Sequence, residues 1–419
     1  MTKPIRDVFR YVTRYRAYPS KEVQDTIFEQ FGILTELRNK CLDYKNWDVG
    51  ILKDAKRQFP KYSKPYSIVT QNLLFGIRDN LKGLKKAKEK GRKVGKLRHK
   101  LVRSMTYEQS GFKVTQKGIT FSKIGEIPVI FSRKIPGTIK QIAIKFTRTH
   151  EWYVTVISEQ PGKPESCDEG RFVGIDMNLT VFSHDSDDHT EPHPHNVRMS
   201  AKQLGRAQRK MSRKVKGGHN RKKQRLKVAR IHQTVENRRD DFLHKWANEY
   251  VYQSNYSLIA VEKLNISKML DSKRKLKMSK ARSRAMRRNM SDAAWGKART
   301  FLKYKAASAG ISIVEVDPAY TSQTCSNCGH ILKDKLELED QTFVCPVCGY
   351  TANRNLNSAR NILKRALVHV GRDTPEYTPV EIRTNELSFS ATPVNIPAQV
   401  LVCEADNPVV GAIQYPARL

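Results

Sequence analysis

The sequence predicts a mixed architecture: a β-barrel towards the N-terminus, an α/β sheet towards the C-terminus, and a small four-cysteine ribbon inserted late in the latter. Three observations carry this. Residues 104–158 alternate β-branched and aromatic residues between Gly and Pro turns (GITFSKI, IPVIFS, IKQIAIKFTR, EWYVTVIS), the pattern of a barrel-like antiparallel unit. Further on, apolar strands that end in acids alternate with helical stretches, which predicts a sheet covered by helices. Finally, Cys325-x-x-Cys328 and Cys345-x-x-Cys348 are separated by sixteen residues, and each pair is followed by Gly. Two such knuckles present four thiolates to one Zn²⁺. Disulfides or plain buried thiols would use the same residues, but evenly spaced CxxCG pairs seldom arise that way. A site closed by four cysteines holds a fold and leaves no open position for chemistry.

The chain is long enough for two or three domains with their own cores. Its 77 Lys and Arg against 41 Asp and Glu leave a formal charge of +36, which calls for a polyanionic partner. A membrane partner is not expected: no apolar run of about eighteen residues is present, and the basic start MTKPIRDVFRYVTRYR lacks an apolar signal core. Outside the knuckles the cysteines are scattered (Cys41, Cys167, Cys403), which suits a reducing cytoplasm.

Taken in order, residues 5–17 alternate loosely and read as a strand that completes the barrel. Pro19-Ser20 opens a helix over about 20–46, with Val23, Ile27, Phe28, Phe31, Leu34 and Leu37 on one face. A second helical run over about 66–90 contains Gln71 and ends in the basic tract KGLKKAKEKGRKVGKLRHK. The barrel is therefore expected over 1–18 and 104–160, with a helical insert over 19–103 and a linker over 159–170.

Residues 171–182 (RFVGIDMNLTVF) read as a buried strand turning into a hairpin, interrupted by Asp176. A carboxylate within a strand is expensive unless it meets a cation or a donor. Residues 201–250 form a basic helical pair broken at Gly217-Gly218. Lys210, Arg213, Arg221, Lys222 and Lys223 lie in its densest part, where one sign of charge repels itself unless phosphates are near. SLIAVEKL follows, a second apolar strand with Glu262 at its end. Residues 267–290, basic and poor in apolar residues, read as mobile; then come a helix over 291–305 and a third strand, ISIVEVDP. After about residue 372 the chain is rich in Pro, Thr and Asn without periodicity and reads as disordered.

The text CGYTANRNLNSARNIL (348–363), with V-G-I-D at 173–176 and RRDDFLHK at 238–245, resembles the TnpB proteins of bacterial insertion sequences and the related type V CRISPR effectors. The resemblance covers about residues 5–365. It implies a wedge-like barrel with a helical recognition insert, then an RNase H-like RuvC domain over 171–318 and 350–372, carrying a zinc ribbon over 319–349. It assigns Asp176 and Glu262 to two of three carboxylates that hold catalytic Mg²⁺ for phosphodiester hydrolysis. Where the family carries the third Asp, this chain has Asn355. Three accounts of that residue stay open: an inactivating substitution made for structural work, a natural one that leaves binding without cutting, or rescue by another acid.

What the resemblance implies is an RNA-guided DNA endonuclease with impaired cleavage, or else a nuclease-dead guided DNA-binding protein. Its partners would be a guide RNA from the transposon end and double-stranded target DNA, bound by a monomer. The basic tracts at 78–103, 202–230 and 268–288 would hold phosphates. Gln71 would read a flanking base; a plain surface amide is the equal alternative. A transposase acting on its own would need strand-transfer groups, and His193 and His195 flank Pro194 with no Tyr nucleophile. A simple zinc-ribbon binder explains the charge and the cysteines but not the acid-tipped strands.

Overall fold

In the computed structural model, which describes residues 8–45, 48–161, 170–271, 279–334, 336 and 340–371, the N-terminal strand β1 (Val8–Ala17) turns Thr13, Tyr15 and Ala17 inward. Ser20 then starts α1 (Lys21–Asp43), its hydroxyl accepting the Val23 N–H. Helices α2 (Ile51–Gln58) and α3 (Ser67–Glu89) follow. Strands β2 (Ser104–Glu108), β3 (Phe112–Val114), β4 (Gly118–Phe121), β5 (Gly125–Ile130), β6 (Thr138–Phe146) and β7 (Trp152–Pro161) complete a nearly closed seven-stranded sheet of order β2-β6-β7-β1-β5-β4-β3. β1 pairs antiparallel with β7 along its whole length, from Val8↔Pro161 to Ala17↔Trp152. The period-2 side chains of these strands make one core with Ile27 and Phe31 of α1. A separate cluster, including Leu37, Leu52, Leu74 and Ile77, joins α1, α2 and α3.

The second sheet uses β8 (Arg171–Met177), β9 (Ser183–Asp185), β10 (Thr190–Glu191), β11 (Tyr256–Glu262) and β12 (Ser312–Val316), in the order β10-β9-β8-β11-β12. β8, β11 and β12 run parallel, while β9 returns antiparallel to β8. Between β10 and β11 lie α4 (Asn196–Ser212) and α5 (His219–Asn248); between β11 and β12 lie α6 (Ile266–Leu270), α7 (Lys280–Ala293) and α8 (Trp295–Ser308). A hairpin of β13 (Thr342–Val344) and β14 (Thr351–Asn353) leads into α9 (Arg354–His369).

Parallel strands covered on both faces need apolar residues at odd and even positions alike, and every residue of β11 is buried. Val173, Ile175, Ile259 and Val261 face α5 and α8 through Leu243, Trp246, Trp295 and Leu302. Leu258, Ala260, Val314 and Val316 face α9 through Ile362, Leu363, Ala366 and Leu367.

Gly174 lets α9 lie this close. A Cβ there would sit 2.2 Å from the Ala359 carbonyl oxygen and 2.8 Å from the Leu363 nitrogen. Backbone cannot yield as a flexible side chain can. Gly174→Ala is therefore expected to cost about 1–3 kcal/mol or more, read as a lower denaturation midpoint in urea; an unchanged midpoint would mean α9 is not held against β8.

Two expectations are corrected. The segment read as mobile contains α7 over Lys280–Ala293, with Ser283, Met290, Asp292 and Ala293 buried. A narrow stripe of small and flexible residues suffices to dock a helix whose remaining faces are charged. The single helix expected over 291–305 is instead the end of α7 and the start of α8, broken at Ala294 with φ of 52°. Residues 272–278 of that segment, 162–169 of the expected linker and the expected tail (373–419) lie outside the described residues. No helix among the described residues is long and apolar enough to cross a membrane.

Candidate active site and metal centre

Strand alternation decides where the two acids point. Asp176 shares the face of β8 that carries Gly174, and Glu262 shares the face of β11 that carries Leu258 and Ala260; both face α9. The register pairs Ile175 with Val261, so Asp176 and Glu262 follow side by side at the ends of adjacent parallel strands. Glu262 is buried and accepts a 2.7 Å hydrogen bond from the Thr321 hydroxyl. Burial raises the Glu262 pKa; Thr321 and the Arg365 charge oppose the rise, while Asp317 adds to it. Asp176 is pushed well above the usual carboxylate range, first by desolvation and then by the Glu262 charge, with Arg354 opposing. It keeps partial exposure, so this is the wall of a cleft rather than a sealed core. Two carboxylates held together at such a cost fit a site for a cation.

The third candidate, Asn355, is buried in the first turn of α9. Its backbone N–H donates to Oδ1 of Asn353, the N-cap. Its own side-chain oxygen is already used: Asn178 Nδ2 donates to Asn355 Oδ1 at 2.6 Å. The Asn178 orientation is fixed independently, because its Oδ1 accepts from the Leu179 N–H (2.6 Å), the Thr180 N–H (3.1 Å) and the Thr180 hydroxyl (3.1 Å). Asn178 can offer only N–H groups to Asn355, and this contact takes up one of the two lone pairs of Asn355 Oδ1. A cavity of about 270 Å³ adjoins the pair, lined also by Arg282, Met286 and Asn289 of α7 and by Gln341.

The four cysteines come together. Cys325 Sγ lies 3.7 Å from Cys348 Sγ, and Cys328 Sγ lies 3.6 Å from Cys345 Sγ; all four sulfurs are within 4.8 Å of one another. A tetrahedron of sulfurs at zinc–thiolate bond length has edges of roughly 3.8 Å, whereas a disulfide bond is about 2.05 Å. The spacing fits one shared metal. Both knuckles turn alike: Gly329 and Gly349 have φ of 78° and 70°, and their N–H groups donate to the carbonyls of Cys325 and Cys345. Burial lifts the Cys325 thiol to about 12, while a hydrogen bond from the Tyr350 backbone brings the exposed Cys348 thiol down to about 6. Phe343, Tyr350, Leu332, Leu336 and Ala352 form the small core of the ribbon.

None of the basic candidates lines the cavity beside Asn355. Lys210 and Arg213 are exposed at the end of α4, and Lys222 and Lys223 are exposed on the first turns of α5. Arg221 is partly committed, donating to the carbonyls of Met211 (2.8 Å) and Lys214 (3.0 Å), where it closes the end of α4. Gln71 is half-buried on α3.

This arrangement can be set beside known proteins. Residues 153–273 match the family described as "Probable transposase", the OrfB group of IS605 elements, and residues 295–362 match the "Cas12f1-like, TNB domain". Both of the acid-tipped strands and both knuckles lie within these two matches. In these two regions the chain is similar to the OrfB and Cas12f1-like proteins. InsQ of Escherichia coli K12, named for RNA-guided DNA endonuclease activity, is 32% identical over 259 residues, covering 60% of this chain and 63% of InsQ. A Streptomyces pristinaespiralis protein named for the same activity is 28% identical over 373 residues, covering 84% of this chain and 89% of its own. A solved complex of Cas12f1 with guide RNA and target DNA covers 85% of this chain and 98% of its own, at 13% identity and a TM-score of 0.46.

Three residues around the cleft escaped the sequence reading. Asn178 could be suspected only from standing two places after Asp176 in a turn. Thr321 and Arg354 left no signal, since their roles depend on groups far away in the chain.

Proposed function

We propose that this chain binds a guide RNA from the transposon end and the matching double-stranded DNA, and that its cleft cuts DNA poorly or not at all. The observation that carries the second half is the 2.6 Å hydrogen bond from Asn178 to Asn355. A cation ligand must turn an oxygen towards the metal; that of Asn355 carries no charge and already gives one of its two lone pairs to this hydrogen bond. The other half of its amide is a donor, which disfavours a cation. Asp176 and Glu262 would hold Mg²⁺ as hard oxygen ligands. Bound there, Mg²⁺ would supply an activated water and stabilise the leaving oxygen. Without a third anionic oxygen, Asp176 and Glu262 would hold that metal only loosely. The four cysteines would hold Zn²⁺, whose work is to fold the ribbon. The protein would act as a monomer in the cytoplasm.

Affinity for nucleic acid comes from the basic surface. Lys210, Arg213, Lys222 and Lys223 are exposed around the α4–α5 turn and supply phosphate contacts. Gln71, half-buried on α3, supplies an amide for a base edge. Replacing Lys222 and Lys223 together by Ala is expected to flatten the slope of log affinity against log salt by about 2. It should do so equally for matched and unmatched DNA. A slope that stays the same would remove these residues from the interface.

The reading is tested by a gel shift of the RNA-loaded chain on matched and scrambled duplexes. Matched DNA is expected to bind at least about tenfold tighter; equal binding would defeat the guided reading. A second reading has one observation in its favour: the charge of Asp317 reaches Glu262. If Asp317 replaces the missing ligand, the parent chain cuts DNA and Asp317→Ala abolishes the cutting.

A further inference from the structure

The strap between β12 and the first knuckle is tied down at both ends. At one end the Thr321 hydroxyl donates to Glu262 Oε1 at 2.7 Å in a buried setting. At the other end Cys325 brings its sulfur to the four-cysteine cluster. Between them α9 grips the strap through side chains that have no other evident work. Asn361 Nδ2 donates to the carbonyls of Thr321 (2.9 Å) and Thr324 (2.6 Å). Asn357 donates to the Thr324 carbonyl and accepts the Ser326 N–H, each at 2.8 Å. Asn357 and Asn361 are both buried, so each amide is fixed in its orientation.

Backbone groups of a short loop carry little rigidity of their own. Here they are locked between a helix and a metal knuckle, and the only side chain they extend to Glu262 is the hydroxyl of Thr321 among the described residues. We infer that Thr321 is a positioning residue for Glu262, and that the four-cysteine centre sets the carboxylate's place through the 321–326 strap. The inference rests on the proposed role of Glu262 in holding a divalent metal. The ribbon would thus serve the cleft directly, instead of only capping the fold.

The test uses the full chain in the Asn355→Asp background, where the cleft has three carboxylates, and measures Mn²⁺ affinity from the signal of free Mn²⁺. Thr321→Val is expected to weaken binding by about ten- to a hundredfold, as loss of a group that orients a ligand does. Thr321→Ser, which keeps the hydroxyl, is expected to stay within about threefold of the starting protein. Equal binding by the folded Val variant would overturn the inference. Asp176→Asn is run alongside. If that change leaves Mn²⁺ binding unaltered, the cleft reading itself fails, and the link is then judged without any cleft metal. Chelating the four-cysteine metal from the parent chain should speed amide exchange at residues 259–264 by about tenfold or more, together with residues 321–326. Exchange confined to 321–326 would overturn the link whatever the variants do.

Discussion

Asn355→Asp is expected to tighten Mn²⁺ binding at least about tenfold and to raise Mg²⁺-dependent DNA cleavage by about a hundredfold or more. The change is nearly isosteric. Asn178 can still donate to one carboxylate oxygen, as it now does to Asn355 Oδ1, so the contact that seats the residue survives. The second oxygen replaces an N–H₂ group and turns a repelling donor into an anionic ligand. A cost accompanies the gain. Desolvation and the charge of Glu262 already push the Asp176 carboxyl up, and a third carboxylate nearby adds to that strain. The metal-free variant should therefore melt below the parent, and Mn²⁺ should raise its melting temperature more than it raises the parent's. A variant that binds Mn²⁺ no better than the parent would show that Asn355 is not at the ligand position.

The second large effect concerns the ribbon. Cys345→Ser is expected to release the bound metal and to open residues 319–350 to protease. Cys345 is buried next to Phe343, and the ribbon core has little else: Tyr350 and a few partly buried apolar side chains. So small a core cannot hold a fold alone. Binding of structural zinc to such knuckles is worth about 10–16 kcal/mol in peptides, more than a ribbon of this size could otherwise supply. Metal content and the position of the first protease cut measure the outcome. Retention of the metal with an unchanged digestion pattern would mean that the four sulfurs do not act as one centre.

How legible each part was depended on how local its cause is. The knuckles could be read directly, because CxxCG confines the turn and two of the sulfurs to five residues. The acid-tipped strands could be read too, since β11 carries its burial as the apolar run Leu258 to Val261, ended by Glu262. Helix α7 was missed because its docking stripe is made of Ser283, Met290 and Ala293, too sparse to mark a helix among so many cations. The reversal of backbone direction at Ala294 could not be foreseen in a residue that otherwise favours helix. The orientation of Asn355 was beyond reach for a different reason: its partner Asn178 lies 177 residues earlier, and the three donors that fix Asn178 are set by a turn. Asn355 could be identified as an anomaly from the sequence, whereas the use of its oxygen needed the fold.

The measurement that bears most directly on this account is made on the parent chain purified with its co-expressed RNA. Binding and cutting of one matched plasmid are followed in the same Mg²⁺-containing reaction, with the Asn355→Asp protein beside it. The account predicts that both proteins shift the matched DNA equally and that only the variant cuts it. Cutting by the parent at the rate of the variant would contradict it, because a carboxylate at position 355 would then be dispensable and another acid, with Asp317 the first to examine, would be serving the metal.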